Sequence, residues 1–262
     1  MTCRLIAVDL DGTLLDSTGK VSARTANALR AAHDAGIVLA PATARFYQAA
    51  IRPFAALAID VAAIASAGAD VRAAGGAVVS QRALEPQFAA FVAELCDRAS
   101  WTATLATPER AYRRENPPPA WAASAPEWLK PVTSLAAEQL ASVLAVLAEA
   151  STGSEHWPEL EAWADRANVF PALAYNGDAL LTITAAGVDK GAGLRALCRH
   201  LGISPAEAVA IGDSEVDIPM FEAAGTSFAM ADGTEAARAA ATRLTATADD
   251  DGVARVIEEV LG

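Results

Sequence analysis

Leu5-Ile6-Ala7-Val8-Asp9-Leu10-Asp11-Gly12-Thr13 sets an unbroken apolar run directly against two carboxylates and a glycine. A run of that length, ended by a turn signal, reads as a buried strand. Downstream, Ser22 is a candidate helix N-cap, Gly36 a candidate C-cap, and Ile37 to Ala40 is apolar again. Strand, helix and strand in this order make a βαβ unit. In an open α/β sheet, ligands bind beyond the carboxyl ends of the strands, so Asp9 and Asp11 are expected at the mouth of a site. A calcium loop counted from Asp9 would need glycine at its sixth position and glutamate at its twelfth, and Leu14 and Lys20 stand there. Two carboxylates so close can divide labour, one attacking while the other trades protons with the leaving group and with water. A plain surface turn is the competing reading.

The last third repeats the alternation, with a helix from about Gly191 to His200, strands at Ala208 to Ile211 and Ser227 to Met230, and helices near Glu235 and Val253. The first of these strands runs into Gly212-Asp213-Ser214-Glu215-Val216-Asp217. Asp213 is thereby predicted at the same sheet edge as Asp9, where facing carboxylates repel unless a cation lies between them, and an all-oxygen set favours Mg²⁺. Ordinary helix-capping acids on a surface loop would look alike. Thr43 follows the apolar run Ile37 to Ala42 and can offer a hydroxyl to a phosphate oxygen, or simply cap a helix. Lys190 opens a helix, where its ammonium adds to the positive end of the dipole, although a solvated lysine is common there.

These motifs, taken together and in order, resemble the haloacid dehalogenase-like hydrolases, specifically the Cof-type phosphatases that carry a large cap between the second and third motifs. The resemblance rests on Asp9-Leu10-Asp11-Gly12-Thr13-Leu14, Thr43-Ala44-Arg45, Gly187-Val188-Asp189-Lys190-Gly191, Gly212 to Asp217, and Asp250-Asp251-Gly252-Val253. It implies a Rossmann-like doubly wound parallel core at residues 1–82 and 186–262, with an inserted α+β cap at 83–185. It further implies an aspartyl-phosphate formed on Asp9, Asp11 as general acid and base, and Thr43 and Lys190 on the transferring phosphoryl group. Mg²⁺ would be held by Asp9, Asp213 and the main-chain carbonyl of Asp11, with Asp217 orienting Lys190 or a metal-bound water. Gly12, Ala44 and Arg45 are candidate substrate contacts in the same loops. Where the family usually shows Thr-Gly-Arg, Asn-Gly-Ala, Gly-Asp-x-x-Asn-Asp and Gly-Asn-Ala, this chain departs at Ala44, Ala67, Val216 and Asp232.

The middle of the chain has another composition. All five tryptophans lie there, with the Asn116-Pro117-Pro118-Pro119 loop. Pro86 to Arg98 and Leu135 to Glu149 read as helices, and Trp101 to Ala106 and Ala179 to Ile183 as strands. Arg110, Arg113, Arg114, Tyr175 and Asn176 are candidates for reaching a leaving group, while the aromatics are expected to pack the domain's own core.

At 262 residues the chain needs no disulfide or structural metal to bury a core, and its three cysteines are widely spaced without ligand partners. A formal charge of −12 argues against nucleic acid and anionic membrane as partners. Phe54 to Val71 is cut by Asp60 and falls short of a membrane span. No signal-peptide core is visible, so a cytoplasmic enzyme, monomer or homodimer, is expected. The activity expected is Mg²⁺-dependent hydrolysis of a small phosphorylated metabolite such as a sugar phosphate. A catalytically weak binding or regulatory protein on the same fold, or a phosphomutase, stands as the alternative.

Overall fold

The computed structural model describes residues 3–115, 119–150, 153–173 and 179–262. In chain order the elements are β1 (Leu5–Val8), α1 (Ala23–Asp34), β2 (Val38–Pro41), α2 (Tyr47–Ala55), β3 (Ala63–Ala65), β4 (Asp70–Arg72) and β5 (Val78–Gln81). Then come α3 (Pro86–Arg98), β6 (Ala103–Ala106), β7 (Ala111–Arg114), β8 (Leu129–Val132), β9 (Ala145–Ala148), α4 (Trp157–Glu161), β10 (Ala167–Leu173) and β11 (Ala179–Ala185). The chain closes with α5 (Lys190–Leu201), β12 (Ala208–Gly212), α6 (Ile218–Ala223), β13 (Thr226–Ala229), α7 (Glu235–Ala240), β14 (Arg243–Leu244) and α8 (Gly252–Leu261). Two compact units result, Met1–Ser80 with Asp189–Gly262, and Gln81–Val188.

The first unit is built on a parallel sheet in the order β14-β13-β12-β1-β2. Helices cover both faces, which is why β1 and β12 can be apolar without alternation. Ile6 and Val8, with Val209 and Ile211, pack on the face with α1 and α8. Leu5 and Ala7, with Ala208 and Ala210, pack on the opposite face against α5 and α6. Ser22 caps α1, its hydroxyl accepting from the Thr25 amide at 3.1 Å. From β1 the sheet grows outward on both sides, through β2 one way and β12 the other. The point between β1 and β12 is therefore the topological switch, where strand ends leave a crevice for a ligand. No helix among the described residues is long and apolar enough to cross a membrane.

The second unit is a six-stranded sheet in the order β10-β11-β9-β6-β7-β8, antiparallel except for the β7–β8 pair. It is α+β, with α3 as its long helix. Here one sequence expectation fails. Leu135 to Glu149 is not a helix: Gln139 turns into the left-handed region, and Ala145–Ala148 forms β9 between β11 and β6. Its alanine and leucine content favours a helix, but helix propensity is a weak prior. Val146 and Ala148 are fully buried in this sheet. The aromatics do pack the unit: Trp163 lies 4.9 Å from Phe88 and 5.8 Å from Phe91 between ring centroids.

Candidate active site

Asp9 continues β1 by one residue, its amide bonded to the Ile211 carbonyl of β12 at 2.9 Å. Its carboxylate is buried beside the switch point. Lys190, first residue of α5 and 2% exposed, donates to Asp9 Oδ1 at 2.7 Å and to Asp217 Oδ1 at 2.6 Å. Asp189 caps the helix through the Ala192 amide at 2.7 Å, which fixes where Lys190 begins. Burial opposes the lysine's charge, but the carboxylates of Asp217 and Asp9 outweigh it and drive its pKa up.

Asp217 is fully buried and has both oxygens committed. Oδ1 takes Lys190, and Oδ2 accepts from the amides of Asp213 and Ser214 at 3.0 and 3.1 Å. It thus organises the Asp213 loop and holds Lys190. A Cβ on Gly212 would sit 2.4 Å from the Asp217 carboxyl carbon, so the loop folds this tightly only with glycine there. Thr13 donates from its hydroxyl to Asp213 Oδ1 at 2.9 Å. Gly12, at φ +79°, leaves no room for a Cβ, which would approach Asp213 Oδ2 to 2.8 Å.

Carboxylate oxygens of Asp9, Asp213 and Asp217 all lie within 4.8 Å of one another. Burial above all, then repulsion from Asp217, pushes Asp213 up to about 7. Burial also raises Asp9 well above the usual range, against the pull of Lys190. Buried like charges of this kind are relieved by a cation, and the hard oxygen donors of Asp9 and Asp213 suit a divalent one. The residues present therefore fit a metal.

The second loop is laid out by main-chain bonds. The Thr43 amide bonds to the Ile64 carbonyl at 2.9 Å, the Ala67 amide to the Thr43 carbonyl at 2.9 Å, and the Ser66 amide to the Arg45 carbonyl at 2.8 Å. Thr43 is not the cap of α2, a position held by Phe46; its hydroxyl accepts from the Arg45 amide at 3.2 Å. Arg45 spans Asp11 with both prongs, Nε to Oδ2 at 2.8 Å and Nη2 to Oδ1. Ala44 lies between them, half-buried. Gly68, at φ +97°, passes so close to Asp189 that a Cβ would meet its carbonyl oxygen at 2.0 Å.

The candidates of the second unit fare differently. Arg114 is 4% exposed, its Nε 2.9 Å from Asp97 Oδ1 and its Nη1 on the Trp101 carbonyl at 2.8 Å. It ties β7 to α3 and has no face for a substrate, which corrects the expectation. Arg113 is held between Glu115 at 2.5 Å and Glu149 at 3.2 Å. Tyr175 and Asn176 lie outside the described residues. Thr13 and Ser214 also build the site; Ser214-x-x-Asp217 has a capping-box spacing that marks those two residues as one turn, and Thr13 carries no comparable local signal.

A family model for haloacid dehalogenase-like hydrolases matches residues 6–257. The phosphoglycolate phosphatase of Halorubrum lacusprofundi is 30% identical over 257 residues, covering 97% of this chain and 96% of the relative. Among solved structures, a haloacid dehalogenase-like hydrolase from B. subtilis superposes with a TM-score of 0.85 at 23% identity, covering 98% of this chain and 99% of that one. A subclass IIB sugar phosphatase of the superfamily gives 0.82 at 24% identity, covering 98% of both chains. The chain belongs to the haloacid dehalogenase-like hydrolases.

Proposed function

We propose that the chain is a Mg²⁺-dependent phosphomonoester hydrolase that works through an aspartyl-phosphate on Asp9 and acts on a small phosphorylated metabolite. The observation that carries this reading is the Asp9 carboxylate at the end of β1, with one oxygen bonded to buried Lys190 and Asp213 beside it. Lys190 steadies the carboxylate and leaves its other oxygen to attack phosphorus. As the bond from phosphorus to the leaving oxygen breaks, Asp11 hands that oxygen a proton. Water then attacks the acyl phosphate, Asp11 takes back a proton, and inorganic phosphate leaves. Thr43 and Lys190 donate to the phosphoryl oxygens, where charge concentrates during transfer. Mg²⁺, held by Asp9, Asp213 and the Asp11 carbonyl, would neutralise part of that charge.

The donors of the first unit address only a phosphoryl group. Discrimination among leaving groups is therefore assigned to the second unit. The full-length relative named above makes phosphoglycolate one of the first esters to assay, beside sugar phosphates. The test is release of inorganic phosphate from a panel of such esters with and without Mg²⁺. Turnover undiminished in excess EDTA, or an absence of turnover on every ester, would overturn the proposal.

A further inference from the structure

Two ion pairs of the site differ in kind. Lys190 and Asp9 are buried, with side chains 2% and 9% exposed, and are locked by further bonds. Arg45 and Asp11 face solvent, with side chains 36% and 49% exposed. The backbone of Arg45 is fixed at both ends, its amide on the Thr43 hydroxyl and its carbonyl on the Ser66 amide, so the side chain alone is free to change partner. Asp11 has both oxygens occupied by the guanidinium fork. While the fork is in place, neither oxygen of Asp11 faces the phosphoryl site unpartnered. A phosphomonoester dianion offers the same planar fork a pair of strongly accepting oxygens.

We propose that Arg45 is a positioning residue that clamps Asp11 in the free enzyme and releases it when a phosphomonoester dianion takes over its guanidinium. The exchange has a consequence for timing. Asp11 is open to the leaving group and to water only once phosphate has taken the guanidinium. An exposed pair resists such an exchange weakly, because solvent already screens it. The inference rests on Asp11 and Thr43 belonging to the phosphoryl site proposed above.

A binding cycle tests it without relying on turnover. The affinity of inorganic phosphate is measured by calorimetry at pH 8 with Mg²⁺ for the wild type, Asp11→Asn, Arg45→Gln and the double variant. Removing the competitor should tighten phosphate in Asp11→Asn by roughly two- to fivefold, the range set by an exposed ion pair. Arg45→Gln should weaken it, and adding Asp11→Asn to Arg45→Gln should restore nothing. If Asp11→Asn leaves the affinity unchanged, or tightens phosphate equally with and without Arg45, the exchange is refuted while the phosphatase reading stands. If the wild type binds no phosphate, the phosphoryl site itself is refuted.

Discussion

Both units bury a cation, and the comparison between them shows how the groups around a buried charge set what it can do. Lys190 sits at the ends of β1 and β12, between the carboxylates of Asp9 and Asp217. Arg114 sits inside the second unit, satisfied by Asp97 and by main-chain carbonyls of Trp101 and Asp97. Burial is the same; the company differs. One cation is placed at the rim of a sheet where charge can be used, and the other joins a strand to a helix.

The sharpest way to break this contrast is to remove the reacting group on one side. Asp9→Asn is nearly isosteric and should keep the fold, yet an amide is a far poorer nucleophile, so kcat should fall by a factor on the order of 10⁴ or more. Steady-state phosphate release alongside circular dichroism checks both halves. Retained turnover would mean that Asp9 is only a structural partner of Lys190.

On the other side, Arg114→Leu should cost stability and little else. Asp97 keeps the Ser134 hydroxyl at 2.7 Å and the amides of Leu135 and Ala136 at 3.0 Å, so its charge is not abandoned. The loss should be about 1–3 kcal/mol, measured by denaturant unfolding. The Michaelis constant of the folded fraction for a small aryl phosphate should stay unchanged. A large rise in that constant would restore Arg114 as a substrate contact.

The same contrast explains what was legible in the sequence. Asp9, Lys190 and Asp213 could be read because each follows or opens an element whose apolar pattern locates its end, so position and chemistry come from one stretch of chain. Arg114 looked equally promising because a basic residue carries no mark of its burial; only Asp97, on α3, decides its role. The strand β9 was read as helix for a related reason. Its alternation is drowned by alanine and leucine, and the neighbours that make it a strand lie on β6 and β11, far away in sequence. Local signals specify the first unit's motifs, and long-range pairing specifies the second unit.

A cation should act on the first unit alone, and its effect has a definite dependence on pH. Asp213 is raised from 3.8 to about 7, by burial first and Asp217 second, and Asp9 is raised as well. A carboxyl raised in the folded state binds its proton there more tightly than when unfolded. The metal-free protein therefore loses stability as pH climbs from about 4 toward 7. Mg²⁺ offsets that loss, so the rise in Tm on adding it should be larger at pH 8 than at pH 5.5. An equal rise at both would place the cation elsewhere.

The smallest expected effect concerns the turn that joins the two loops of the first unit's site. Ser66, Ala67 and Gly68 have φ of +50°, +54° and +97° in succession, held by amide bonds to the carbonyls of Arg45 and Thr43. Ala67, at φ 54° and ψ 33°, is in the left-handed region, where a Cβ crowds the following carbonyl at roughly 1–2 kcal/mol. An asparagine, which the family resemblance leads one to expect here, tolerates that conformation better. Ala67→Gly removes the clash but gives the unfolded chain more freedom, worth roughly 0.5–1 kcal/mol in the opposite direction. The net should be a gain of a few tenths to about 1 kcal/mol in denaturant unfolding. Because the amide of residue 67 still reaches the Thr43 carbonyl, kcat/KM should stay within about twofold of the wild type. A loss of stability would mean that the methyl group, only 4% exposed, contributes more through its packing than its conformation costs.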